Sequence, residues 1–72
     1  SKMALDTALT DILEAELSKA RKAAKKARKA LEAAANGDAG AKPYSIALDL
    51  LDIAESNERK VTALLAEAYA PR

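Results

Sequence analysis

Asn36-Gly37-Asp38-Ala39-Gly40-Ala41-Lys42-Pro43 is the one loop-like stretch of this chain, and it holds both glycines and one of the two prolines. Asparagine and glycine tolerate the left-handed backbone conformation, so Asn36 and Gly37 read as a helix terminator. Pro43 suits a first helical position, with Ser45 as a rival N-cap. Working outward, the pattern predicts a helix over about residues 4–35, a loop over about 36–42, and a helix over about 44–70 that Pro71 ends. At about 1.5 Å per residue the two helices are rods of roughly 48 and 40 Å. Two long helices joined by a short loop make an antiparallel hairpin, so the expected fold is all-α, with one helical-hairpin domain over residues 1–72.

Helical periodicity places the apolar residues on faces. In the first helix Leu5, Leu9, Ile12, Leu13, Ala20, Ala24, Ala27 and Leu31 form one stripe whose spacing alternates between three and four, as in bundles. Between Leu17 and Leu31 that stripe holds only alanine, so the facing helix must supply the bulk. In the second helix Ile46, Leu50, Ile53, Ala54, Val61, Leu64 and Ala68 form the central stripe. Leu51, Leu65, Tyr44 and Tyr69 widen it on one side, and Leu48 lies further round. One neighbouring helix cannot cover an arc this wide. A second chain is the simplest completion, which predicts a homodimeric four-helix bundle with Tyr44, Leu48, Leu51, Leu65 and Tyr69 at its interface. A helical protein partner on the same face is the alternative occupant.

A 72-residue chain buries a thin core, and this one has neither cysteine for a disulfide nor histidine for a metal. The absence of cysteine fits a reducing compartment, and a cytoplasmic location is expected.

The net charge of +1 hides a strong asymmetry. Residues 1–18 carry −3, residues 19–29 carry +7, residues 30–58 carry −5, and residues 59–72 carry +2. The basic block consists of Lys19, Arg21, Lys22, Lys25, Lys26, Arg28 and Lys29, with four alanines between them. Folding about the loop places residue i roughly opposite residue 79 minus i, which sets this block beside Asp49, Asp52, Glu55 and Glu58. Two polar residues fall within the apolar stripes, Glu16 in the first helix and Asn57 in the second. Such residues cost stability and can fix register. The bland alternatives are an exposed end for Glu16, and for Asn57 a kink or a break into two shorter helices.

The basic face could track RNA or DNA phosphates. No aromatic interleaves with it to stack bases, and no Asn or Gln lies within the run to read base edges. A solvated face partly paired with the acidic residues is the competing reading. Membrane binding is not expected, because the apolar face beside the run is alanine without Trp or Phe. Asp49, Asp52 and Glu55 lie a turn apart, and they read as a solvated acidic ridge rather than a metal site.

No catalytic residues are expected. A Cys- or His-based nucleophile pair is excluded by composition, and Ser1, Ser18, Ser45 and Ser56 have no evident activating partner. Arg21, Arg28 and Arg59 project away from the seams, unlike the interior charges that helical-bundle enzymes need. No enzyme activity, cofactor, metal or small-molecule substrate is expected.

In plan the chain resembles Rop-type helical hairpins, in architecture alone and with no motif or residue shared. That resemblance implies dimerisation into a four-helix bundle and RNA binding through charged helix faces. The Ala/Lys-rich first helix also resembles designed helical sequence, whereas Ser56-Asn57-Glu58-Arg59-Lys60 looks more natural. The leading expectation is a non-catalytic interaction or oligomerisation module; the alternatives are a nucleic-acid-backbone-binding hairpin and a designed helical protein.

Overall fold

Two helices account for nearly the whole of the computed structural model, which describes the backbone of residues 2–70 and the side chains of residues 7–70. Helix α1 is Lys2–Asn36 and helix α2 is Tyr44–Tyr69. They pack against each other in a rod of 54 × 16 × 12 Å. The side chains of Met3 and Leu5 and the stop expected at Pro71 lie outside the described residues.

The loop chemistry follows from its two glycines. Gly37 has φ 70°, and its N–H donates to the Ala34 carbonyl at 3.2 Å while the Asp38 N–H donates to the Ala33 carbonyl at 3.0 Å. This pair of bonds is a Schellman motif, which satisfies carbonyls that the helix end would otherwise leave open. Ala41 N–H then donates to the Asp38 carbonyl at 3.1 Å, with Gly40 at φ 78° inside that turn.

Pro43 sits one position earlier than expected. It is the N-cap residue, with φ −54° and ψ 143°, and its carbonyl accepts the Ala47 N–H at 3.0 Å. Neither Ser45 nor any other side chain caps α2. At the far end Ala70 is extended, with ψ 140°, the conformation favoured by a residue that precedes proline. Helix α2 runs without interruption through Asn57, which removes a break into two shorter helices as a reading of that residue.

The seam is made by one row on each helix. On α1 it is Thr10, Leu13, Leu17, Ala20, Ala24, Ala27, Leu31 and Ala34, and on α2 it is Ala47, Leu51, Ala54, Glu58, Val61, Leu65 and Ala68. Both rows step by alternating threes and fours, the heptad spacing that keeps a seam facing its partner. Every one of these residues is buried or half-buried. Leu17, Ala20, Ala24, Ala47 and Leu51 form the buried core, with Ala24 and Ala47 at 0% exposure. Three of the five buried side chains are alanine, and they contribute little apolar area.

This seam corrects the expected one. Ile46, Leu50, Ile53 and Leu64, read from the sequence as the centre of the α2 stripe, are 41–67% exposed. Leu9 and Ile12 on α1 are likewise outside the seam, at 45% and 61%. The packed row on α2 is turned from the expected one by somewhat less than one residue step of about 100°. Small residues turn inward with that rotation, since Ala20 and Ala24 on α1 and Ala47 on α2 are the most deeply buried side chains.

Candidate interaction faces

A second row lies beside the seam on each helix, offset by one residue. On α1 it reads Leu9, Ile12, Glu16, Lys19, Ala23, Lys26 and Ala30, and on α2 it reads Ile46, Leu50, Ile53, Asn57, Lys60 and Leu64. Both rows emerge on the same side of the hairpin. Ala23, Ala27 and Ala30 share a shallow groove with Leu50 and Ala54, and Leu9 and Leu13 share another with Leu64 and Ala68. The fold therefore leaves one side uncovered that carries two apolar patches, Ile46, Leu50 and Ile53 toward the loop and Leu9, Ile12 and Leu64 toward the open end, with Glu16, Lys19, Asn57 and Lys60 between them.

The expected interface residues divide between different places. Leu51, at 9% exposure, is inside the hairpin seam, and Leu65 is half-buried there. Tyr44, Leu48 and Tyr69 are exposed, on the side of the rod away from the apolar face. The Tyr69 hydroxyl donates to the Glu14 carboxylate on that side. Sequence reasoning placed Ile46, Leu50, Ile53 and Leu64 in the internal seam. The three-four row starting at Ile46, one residue ahead of the row starting at Ala47 and interrupted by Asn57 and Lys60, was the signal for two separate faces.

The basic face is solvated. Arg28 Nη1 lies 3.4 Å from Glu55 Oε2 across the hairpin, and Lys19 Nζ lies 3.5 Å from Glu16 Oε1 one turn earlier on α1. Arg21, Lys22, Lys25, Lys26 and Lys29 have no ion-pair partner among the described residues. Asp49 and Asp52 do not reach the run, because the helical repeat turns them to the outer edge of α2. Glu58 is half-buried in the seam row. Glu16 and Asn57 are both exposed on the uncovered apolar side.

The two cross-helix pairs sit about one turn from the expected register. Position 28 was expected opposite 51 and position 14 opposite 65, whereas Arg28 meets Glu55 and Glu14 meets Tyr69. Long side chains span part of that offset.

Tyr69 is held above its ordinary phenol value of about 10. The hydrogen bond to Glu14 is the main cause, because ionising the phenol would remove the donor and set two negative charges together. Among the described residues no three of His, Cys, Asp and Glu are gathered as a metal-binding group. No helix among them is long and apolar enough to cross a membrane. No family model matches the chain, and no curated protein or solved structure matches it either.

Proposed function

We propose that this hairpin is a non-catalytic oligomerisation module that associates with a second copy of itself through the uncovered apolar face. The observation that carries this is the imbalance between what the seam buries and what the fold leaves exposed. Leu17 and Leu51 are the large side chains buried among the described residues, and the rest of the buried core is alanine. Even a well-packed core in a chain below about 70–80 residues rarely supplies more than about 3–5 kcal/mol. Six large aliphatic side chains meanwhile stand 41–67% exposed on one side. Clusters of exposed large apolar side chains mark interaction sites. A second copy brings the same face and completes a four-helix bundle.

The test is thermal unfolding followed by circular dichroism over a hundredfold range of protein concentration. Association that stabilises the folded state makes the midpoint rise with concentration. A midpoint independent of concentration, with full helicity throughout, rejects the proposal.

A second reading is binding of RNA or DNA backbone by Lys19–Lys29. It is supported by the five cations that lack an ion-pair partner among the described residues. Binding of this kind weakens linearly in log–log plots against salt, and neutralising three contacts lowers the slope by about 3. Joint charge reversal by Lys22→Glu, Lys25→Glu and Lys29→Glu is expected to abolish it. Binding that survives these changes, or its absence at low salt, discards this reading.

A further inference from the structure

Resting on the reading of Lys19–Lys29 as a backbone-binding surface, we infer that its ligand is the sugar–phosphate backbone of a duplex rather than of a single strand. The placement of the unpaired cations carries this. Arg21, Lys25 and Lys29 follow one another at four-residue steps and form one row along α1, and Lys22 and Lys26 form a second. All five are exposed, and none has an ion-pair partner among the described residues.

Each residue of the second row lies one step of about 100° round the helix from its neighbour in the first. On a helix about 10–12 Å across with its side chains, that step sets the rows about 8 Å apart. Arg21 stands at the flank, in a shallow groove with Leu65, and from Lys22 onward both rows turn away from α2.

Two rows of cations at that separation match two rows of phosphates. Duplex DNA offers such rows on either side of its grooves, which are about 6 and 12 Å wide. It carries one charge per about 1.7 Å of axis, against about 3.4 Å for each strand. The run from Arg21 to Lys29 rises about 12 Å, alongside which a duplex presents about seven phosphates. A single strand offers one row, so it engages one row of cations and leaves the other unanswered.

Proteins that bind single strands without sequence preference add stacking of bases on aromatic side chains. This chain has two aromatic residues, and both stand clear of the run. Tyr69 meets Glu14, about two turns before Arg21. Tyr44 opens α2 at the loop end, which α1 reaches about two turns past Lys29.

The test is fluorescence anisotropy of the full chain with a labelled duplex DNA, a duplex RNA and an oligothymidylate of the same length, each over a series of salt concentrations. Five contacts on a duplex give a log–log salt slope of about −4.5, and one row of three on a single strand gives about −2. The better-bound duplex is expected to bind at least about tenfold more tightly than the single strand at low salt. Lys22→Gln together with Lys26→Gln deletes the second row at exposed positions with a residue of similar helix propensity. That variant should bring the duplex slope to about −2.7 and remove the preference. A single strand bound as tightly as the duplexes, or a preference that survives loss of the second row, overturns the inference and leaves backbone binding standing. Absence of salt-sensitive binding to all three overturns both.

Discussion

The Tyr69 hydroxyl donates a hydrogen bond to the Glu14 carboxylate, tying the last turn of α2 to α1 near the open end of the hairpin. Because this bond needs the phenol protonated, it raises the Tyr69 pKa in the folded state. The stabilisation is complete below about pH 10, where the unfolded tyrosine also keeps its proton, and it is lost as pH rises through the raised folded value. Urea unfolding at pH 8 to 11 should therefore show a fall at the alkaline end that Tyr69→Phe reduces. An identical alkaline profile for the variant would remove Tyr69 from the account.

Gly37 closes α1 at φ 70°, and a Cβ added there would meet nothing within 4 Å. Any cost of Gly37→Ala is therefore conformational rather than steric crowding by neighbours. The left-handed region costs a residue with a Cβ about 1–2 kcal/mol. Gly37→Ala should destabilise by about 1 kcal/mol in denaturant unfolding, and Gly37→Asn by less, since asparagine tolerates this conformation better. Equal stability of all three would contradict the Schellman closure.

Ala24 is fully buried in the seam between the two helices. Ala24→Leu inserts volume into a seam with no room, and it should cost about 1–3 kcal/mol. Ala35→Leu, at an exposed position of the same helix, should stay within about 0.5 kcal/mol of the parent. A stabilising Ala24→Leu would mean that the seam is wider than described.

The hairpin was legible in the sequence because glycine and proline act locally. Asn36-Gly37 closes α1 through its own backbone bonds, and nothing distant is needed to read them. The faces were less legible. The apolar arc of α2 spans two adjacent heptad rows, and periodicity alone does not say which row turns inward. The larger residues, Ile46, Leu50, Ile53 and Leu64, suggested the wrong row. Ala47 pointed to the right one, but a small residue leaves a weak mark in any reading weighted by hydrophobic bulk. The basic face was legible as a run. That Asp49 and Asp52 do not neutralise it depends on the rotation of α2, which turns Ala47 and Leu51 inward.

Leu51 and Ile53 are two residues apart and occupy different faces, at 9% and 67% exposure. Leu51→Ala removes buried bulk and should lower the unfolding free energy by about 2–5 kcal/mol. Conservative truncation by Ile53→Val should leave the seam intact and weaken association only modestly. If Leu51→Ala proves neutral in denaturant unfolding, the seam has been placed on the wrong row.

Sedimentation equilibrium of the parent protein and of Ile53→Glu, over a wide concentration range at physiological salt, tests the central claim most directly. Self-association through the uncovered face predicts a dimeric parent, and a variant whose dimer is lost because a carboxylate would have to be buried at its centre. A parent that stays monomeric and fully helical at every concentration would contradict the claim, as would an Ile53→Glu variant that remains fully dimeric.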